Sequence, residues 1–128
     1  TSRVYDPASG TCTTLLRGHH TRTVKSCDWA PDATTLATAS EDGTVRLFDT
    51  RSGRQVACLD GHAGEVNTVQ WSPDGFTLVS GGQGNNSAAG GEYLRVWDVR
   101  AQACSHALTG GHTAQVSSVC WAPGGLLL

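Results

Sequence analysis

Residues 61–75 read Gly-His-Ala-Gly-Glu-Val-Asn-Thr-Val-Gln-Trp-Ser-Pro-Asp-Gly, and the spacing within this stretch predicts the fold of the whole chain. His62 is followed by a valine four residues later and by Trp71 nine residues later. The same spacing occurs twice more, from His20 to Trp29 and from His112 to Trp121. A motif that returns at a regular interval indicates a repeat architecture, in which each copy is one structural unit.

An aromatic residue followed by aspartate closes each unit. These pairs are Tyr5-Asp6, Phe48-Asp49 and Trp97-Asp98, and their aspartates are 43 and 49 residues apart. The second interval is longer because residues 83–91, Gln-Gly-Asn-Asn-Ser-Ala-Ala-Gly-Gly, stand where the first unit has Glu41-Asp42-Gly43. Gly, Asn and Ser cluster in loops, so the sequence predicts a lengthened loop with the register of the repeat preserved.

Each unit is predicted to contain four short strands. The first strands are Val24–Trp29 and Val66–Trp71, and a Pro-Asp turn follows each of them. In the second turn Gly75 can supply a positive φ, whereas the first turn has Ala33 at that position, which predicts slight backbone strain. The other predicted strands are 34–39, 44–48 and 55–59 in the first unit, and 76–80, 93–97 and 104–108 in the second. No stretch has sustained helical periodicity.

Four strands in about 43 residues, opened by Gly-His and closed by aromatic–Asp, resemble the WD repeat. The resemblance covers the whole chain and implies an all-β segment of a WD-repeat β-propeller. It predicts two complete four-stranded antiparallel blades and a partial blade at each end. The predicted division is the last two strands of a partial blade at 1–17, complete blades at 18–60 and 61–110, and the start of a further blade at 111–128.

Closed propellers have about 4–8 blades, more than these residues supply. Two explanations stay open: the chain is a fragment of a larger propeller, or several copies close one ring. We favour the fragment, which makes the remaining blades of its own propeller a partner of this segment.

The resemblance also assigns a structural role to the repeated histidines. In WD repeats a histidine shares hydrogen bonds with a strand Ser or Thr, a turn Asp and a Trp. The first unit offers His20, Thr38 and Asp42, but Phe48 replaces the Trp and has no N–H group. The second offers His62, Ser80 and Trp97, but the long loop replaces the turn Asp; His112 belongs to a third such set. A residue that recurs once per unit is typical of structure, whereas catalysis needs one unusual constellation.

Composition argues against several function classes. The net charge is −2 and there is no run of like charge, so nucleic-acid binding is not expected. No apolar run approaches the ~18 residues of a membrane span, and no membrane association is expected. The acidic residues are dispersed, and no His/Cys/Asp cluster is apparent, so we expect no enzyme activity, catalytic residue, metal site or cofactor.

The five cysteines are an odd number with no Cys-x-x-Cys pair, which favours reduced thiols and a cytoplasmic or nuclear protein. Three of them, Cys27, Cys58 and Cys104, lie in predicted strands. We expect those three to be small buried hydrophobic residues.

The function that best fits these observations is a non-catalytic protein-interaction scaffold that assembles a multiprotein complex. By the resemblance, partners most often dock on the face formed by the Gly-His loops and the loops between second and third strands. Strand alternation sends polar side chains to that face. The partner-binding candidates are Thr23, Lys25, Glu41, Glu65, Asn67, Gln115 and Ser117.

An alternative function rests on two arginines. Arg51 and Arg100 each lie two residues after an aromatic–Asp pair. The first unit resembles the sixteen-residue box of WD-repeat proteins that act as substrate receptors of cullin-RING ubiquitin ligases. In those proteins the arginine contacts a propeller adaptor, so Arg51 and Arg100 are the adaptor-binding candidates.

Overall fold

The computed structural model describes residues 1–17, 20–84, 92–109 and 111–125. These residues form three antiparallel sheets and no helix. None of them, accordingly, belongs to a helix long and apolar enough to cross a membrane. Most of the predicted long loop, residues 85–91, lies outside the described residues.

The two larger sheets each contain four strands in sequence order. The first consists of β3 (Val24–Trp29), β4 (Thr35–Ser40), β5 (Thr44–Asp49) and β6 (Gln55–Asp60). The second consists of β7 (Val66–Trp71), β8 (Thr77–Gly82), β9 (Leu94–Asp98) and β10 (Ala103–Leu108). The smaller sheet pairs β1 (Ser2–Tyr5) with β2 (Cys12–Leu16). The predicted all-β fold with four-stranded antiparallel sheets is confirmed, while the repeat boundaries stay a prediction because residues 18, 19 and 110 are not described.

The two four-stranded sheets repeat each other in detail. The pairing of β3 with β4 shifts register between Val24 and Ser26, and the pairing of β7 with β8 shifts at the equivalent place, between Val66 and Thr68. A bulge of this kind bends the strand and increases its twist. The two inner strands are therefore bent at the same place.

The turns after β3 and β7 use the same backbone conformation. Gly75 has φ 76°, and Ala33 at the equivalent place has φ 57°. The left-handed region is unfavourable for a residue with a Cβ atom. The strain that the sequence predicts at Ala33 is confirmed.

The main hydrophobic core lies between the two four-stranded sheets, where β7 packs against β3 and β4. The first sheet contributes Ala37, Ala39, Val45, Leu47, Ala57 and Leu59, and the second contributes Val66, Val69, Trp71, Leu78 and Trp97. All of these side chains are buried. Burial of apolar area at about 25 cal/mol per Å² makes this contact the main attraction between the sheets.

Two polar side chains also join one repeat to the next. Asp28 Oδ2 accepts a hydrogen bond of 2.7 Å from the backbone N–H of Trp71. Gln70 Oε1 accepts one of 2.8 Å from the backbone N–H of Trp121, which is the same position one repeat later. The inner strands are therefore held in register by a repeated side-chain bond as well as by apolar packing.

Residues 111–125 form no regular strand, although their middle part contacts β7 and β8. The backbone N–H of Val116 donates to the Gly82 carbonyl over 3.0 Å, and Val116 and Val119 are buried in a second cluster. A strand needs a neighbour along its edge, and the described residues hold no second strand for this repeat.

The expectation of buried cysteines is wrong. Cys12, Cys27, Cys58 and Cys120 are exposed, and Cys104 is half-buried. In β3 exposure alternates, so that Val24 and Ser26 turn toward the core while Cys27 turns away from it. Membership of a strand does not tell which of its two faces is covered.

Candidate protein-interaction site

The first histidine set is complete except for its aromatic member. His20 Nδ1 lies 2.9 Å from Asp42 Oδ2, and His20 Nε2 lies 2.8 Å from Thr38 Oγ1. A carboxylate only accepts, so Nδ1 carries the ring proton and donates it, and Nε2 accepts from the Thr38 hydroxyl. Phe48 is buried at the position of the aromatic residue and contributes packing alone.

The same turn keeps Asp42 ionised. Burial raises the pKa of Asp42, but hydrogen bonds from Thr44, from His20 and from the backbone N–H groups of Thr44 and Thr21 outweigh it and hold the pKa well below its usual range. Burial lowers the pKa of His20, and the bond to Asp42 offsets part of that effect. The result is a rigid connection between the loop before β3 and the turn between β4 and β5.

The second set contains the aromatic member and lacks the acid. Trp97 Nε1 donates to Ser80 Oγ over 2.7 Å, and Ser80 Oγ lies 2.6 Å from His62 Nε2. Because the Ser80 oxygen already accepts from Trp97, its own proton can go to Nε2, which leaves the ring proton of His62 on Nδ1. Nδ1 is buried and has no hydrogen-bond partner among the described residues.

The environment of His62 strongly favours its neutral form. Burial lowers the pKa of His62 to about 4, and the positive charge of Arg95 acts in the same direction. The Arg95 guanidinium lies 5.9 Å from the centre of the Trp97 ring and bonds to Glu92. The histidine is uncharged at neutral pH, and its contacts are those of a structural residue.

Gly84 occupies the place in the second repeat that Asp42 occupies in the first. A Cβ atom at Gly84 would come within 2.7 Å of the Tyr93 ring, so a side chain there would displace the tyrosine. The buried Tyr93 therefore fills the space that an acidic turn residue uses in the first repeat.

Two of the predicted partner-binding residues, Glu41 and Glu65, line one polar cleft between the two sheets. This upper cleft has a volume of about 310 Å³ and is lined by Arg22, Glu41, Asp42, His62, Glu65 and Gln83. Lys25 is exposed and its Nζ lies 2.7 Å from Glu41 Oε1. Hydrogen bonding to Lys25 lowers the pKa of Glu41, so this carboxylate is charged.

The remaining candidates on this side are more scattered. Thr23 is exposed, and its carbonyl accepts from the Glu41 backbone N–H over 2.9 Å. The Asn67 amide donates to the Val116 carbonyl over 3.1 Å, so it fastens the next repeat. Gln115 and Ser117 are exposed, and the structure does not bring them to the upper cleft. His112, which the sequence assigns to a third histidine set, is exposed as well.

The opposite side of the sheets carries the two arginines. Arg51 and Arg100 are both exposed, each in the turn that follows a third strand. Arg51 lines a cleft of about 380 Å³ with Trp29 and Asp49. Arg100 lines a second cleft of about 500 Å³ with Trp71 and Phe76, which we call the lower cleft. The Arg100 guanidinium stacks 4.9 Å from the centre of the Phe76 ring.

Sequence reasoning overlooked Asp28, Gln70 and Phe76. Asp28 and Gln70 each stand one residue before a repeated tryptophan, so a polar residue at that place in an inner strand was the available signal. Phe76 is 54% exposed in the turn after β7, and an aromatic residue within a Pro-Asp-Gly turn could have indicated a surface role.

The polar side chains on these surfaces can form hydrogen bonds and ion pairs. Within the described ranges no three His, Cys, Asp or Glu side chains come together as a metal-binding group. The polar groups around the upper cleft are three carboxylates, a guanidinium, an amide and the imidazole of His62.

Repeated four-stranded antiparallel sheets, each with a histidine bonded to a strand hydroxyl, define a repeat protein of the propeller class. Residues 10–49 and 53–98 match the family described as WD domain, G-beta repeat. The chain belongs to this family, whose members are generally non-catalytic protein-interaction scaffolds.

Curated relatives contain the same repeats within much longer chains. WD repeat-containing protein 1 of Gallus gallus is 36% identical over 85 residues, 64% of this chain and 13% of that protein. Its counterpart in Bos taurus is 33% identical over 95 residues, 72% of this chain and 14% of that protein. A probable cytosolic Fe-S cluster assembly factor of Schizosaccharomyces japonicus (strain yFS275 / FY16936) is 38% identical over 81 residues, 61% of this chain and 13% of that protein. The matched region thus spans about one seventh of these relatives.

Proposed function

We propose that this chain is a non-catalytic scaffold that assembles a multiprotein complex through the upper cleft. The observation that carries the proposal is the grouping of charged side chains there: Glu41 and Glu65 lie on the same cleft, with Arg22 beside them. Their positions come from loops on two rigid sheets that share one core. Binding residues on loops held by a rigid scaffold are a common arrangement in recognition proteins.

Quantitative affinity purification of the tagged protein tests this proposal. Two matched double variants are compared with the wild type: Glu41→Gln with Glu65→Gln on the upper cleft, and Arg51→Ala with Arg100→Ala on the opposite side. We expect a set of partner proteins whose recovery falls about tenfold with the glutamine pair, as for loss of two interface charges. The arginine pair should leave that set unchanged. Recovery that is insensitive to the glutamine pair, or no reproducible partner at all, would contradict the proposal.

A second candidate function is that of a substrate receptor of a cullin-RING ubiquitin ligase. It is favoured by the exposure of both Arg51 and Arg100 at equivalent turns. Arginine presents a planar fork of donors that suits the carboxylates and carbonyls of a partner, and lysine does not reproduce it.

The arginine variants of the same purification distinguish this candidate. A ligase adaptor recovered with the wild type should disappear with Arg51→Ala and Arg100→Ala and persist with the glutamine pair. Loss of the Arg100 stacking on Phe76 should cost at most about 0.5–1 kcal/mol of stability, so the double variant remains folded. No adaptor from the wild type, or one that binds the double variant equally well, removes this candidate.

We also propose a cytoplasmic or nuclear location. All five cysteines are unpaired and four are exposed, and exposed thiols persist where the surroundings are reducing. Fractionation of cells that express the tagged protein tests this. Recovery from the secretory fraction, with cysteines in disulfides, would contradict it.

A further inference from the structure

The lower cleft lies between the two four-stranded sheets, on the side opposite to the upper cleft. It has a volume of about 500 Å³, and among the residues that line it are Pro31, Asp32, Trp71, Asp74, Phe76 and Arg100. All of them belong to the two four-stranded sheets or their turns. Binding pockets for organic ligands typically measure about 300–1,000 Å³, so the cleft can hold a large side chain and adjoining backbone.

The exposed aromatic residue of the lower cleft, Phe76, is not required by the fold. Trp71 is 6% exposed and belongs to the main hydrophobic core, whereas Phe76 is 54% exposed. The residue equivalent to Phe76 in the first four-stranded sheet is Thr34, and that sheet forms the same turn and strands. Because the first sheet folds in the same way with a threonine at this position, the Phe76 ring is not needed for folding. An exposed aromatic ring of this kind is typical of a residue that contacts a partner.

The lower cleft carries a net negative charge, from Asp32 and Asp74 against Arg100. The carboxylate of Asp32 accepts from the Thr34 backbone N–H over 2.9 Å, and this bond lowers its pKa. The carboxylate of Asp74 accepts from the Ser72 hydroxyl and the Phe76 backbone N–H, and these bonds lower its pKa. Neither carboxylate forms an ion pair with any side chain in the described part of the chain. The one guanidinium, that of Arg100, stacks on Phe76.

We propose that the lower cleft binds an extended peptide segment of a partner protein in which an apolar side chain is next to a lysine or arginine. The apolar side chain packs on Trp71 between Pro31 and Phe76, and the cationic side chain pairs with Asp32 and Asp74. This inference rests on the proposed scaffold function and assigns it a second contact, of known chemistry, on the other side of the molecule. The two carboxylates outnumber the single guanidinium, which already stacks on Phe76, so the lower cleft favours a basic segment over an acidic one.

Selection from a random twelve-residue peptide library displayed on phage, with the immobilised protein as bait, tests the inference. The enriched peptides are then synthesised, and their dissociation constants are measured for the wild type and for variants. Phe76→Thr introduces the residue that stands at the equivalent position 34. Asp32→Asn with Asp74→Asn removes both charges and keeps the oxygens that accept the turn hydrogen bonds. The matched controls, Thr13→Ala and Asp49→Asn, alter the neighbouring cleft that Arg51 lines.

We expect enriched sequences that place an apolar residue next to Lys or Arg. Phe76→Thr should weaken binding about tenfold, the loss typical of an aromatic contact at the centre of an interface. The asparagine pair should weaken it about fivefold and reduce its dependence on salt. Both controls should bind within about twofold of the wild type, and far-UV circular dichroism should show all variants folded.

Three results would overturn the inference: no enriched sequence, enrichment of acidic peptides, or binding that Phe76→Thr leaves unchanged. Sedimentation velocity adds a fourth, since self-association abolished by Phe76→Thr would make the cleft a contact between copies of this chain. Failure here is distinguishable from failure of the scaffold proposal. If peptide binding is lost only with Glu41→Gln and Glu65→Gln, the scaffold proposal stands and the inference about the lower cleft is wrong.

Discussion

At the scale of single residues, the turn after β3 holds a non-glycine residue in the left-handed region. Ala33 adopts φ 57° where the second repeat has Gly75. A left-handed conformation costs an L-residue about 1–2 kcal/mol, and the greater freedom of glycine in the unfolded chain offsets part of that cost. This pair of equivalent positions therefore allows a reciprocal substitution.

We expect Ala33→Gly to raise the free energy of unfolding by about 0.5 kcal/mol and Gly75→Ala to lower it by about 1 kcal/mol. A Cβ atom at Gly75 meets Pro31 at 3.5 Å, an ordinary contact, so the change there reports backbone conformation rather than a clash. Urea unfolding of both variants measures the effect. A destabilised Ala33→Gly variant would show that the strain does not limit stability.

The second residue-scale prediction concerns pH. His62 has its pKa lowered to about 4, from 6.5 in an unperturbed histidine. Between these values the unfolded chain binds more protons than the folded chain. The free energy of unfolding therefore falls as pH falls from about 6.5 to about 4, by about 3 kcal/mol in total.

Urea unfolding at pH 4.5, 5.5, 6.5 and 7.5 measures this dependence, with His62→Gln as the variant that does not titrate. The glutamine variant should be less stable at pH 7.5 and should show a shallower slope between pH 4.5 and 6.5. Equal slopes for the two proteins would mean that His62 titrates normally and that its burial is relieved in solution.

At the scale of elements, stacking of the sheets combines apolar packing with a repeated polar bond. The carboxylate of Asp28 on β3 meets the backbone N–H of Trp71 on β7, and Gln70 meets Trp121 in the same way. A buried N–H group left without a partner costs about 1–3 kcal/mol. The bond therefore disfavours any other register of the two inner strands.

We expect Asp28→Ala to lower the free energy of unfolding by about 1–3 kcal/mol, because the Trp71 N–H loses its acceptor. Asp28→Asn keeps an oxygen at that place and should cost less than half as much. Hydrogen exchange provides a second readout, since the Trp71 amide should exchange faster in the alanine variant. If the two variants are equally stable, the bond does not hold the sheets together.

The strands and their positions can be predicted from the sequence because strand and turn signals depend on neighbouring residues. The eight strands of the two larger sheets were predicted to within two residues at each end, since Pro-Asp turns and alternation depend on neighbouring residues only. The Asp28 bond was not predicted, because it joins residues 43 apart whose contact depends on how two sheets stack. Burial of the cysteines was predicted wrongly for a related reason: the covered face of a strand is set by the adjacent sheet.

At the scale of the whole molecule, large apolar side chains remain on the surface. Tyr5, Trp29, Val56, Phe76 and Leu108 are each at least 39% exposed. Among the described residues, the outer strands β6 and β10 have a neighbour on one edge only, and unpaired edges pair with other chains. Patches of this kind are typical of surfaces that another protein or another copy covers.

We expect this 128-residue chain to self-associate reversibly at tens of micromolar, about the range in which exposed edges and apolar patches cause aggregation. Sedimentation velocity over a concentration series measures it. Trp29→Ser should reduce the association, and Cys12→Ser serves as the matched exposed control. A single monomeric species throughout the series would disprove the prediction.

The sequence by itself determined the repeat, the antiparallel order of four strands and the strained turn at Ala33. These features follow from the identity of residues close together in the chain and from a spacing that recurs. Tertiary structure alone decided that His62 Nδ1 has no partner in the described part of the chain, that Asp28 bonds to the Trp71 backbone, and that Phe76 and Arg100 meet over a cleft. Each of these features depends on the packing of two surfaces against each other. The spacing of the repeats in the sequence does not specify the distance between those surfaces.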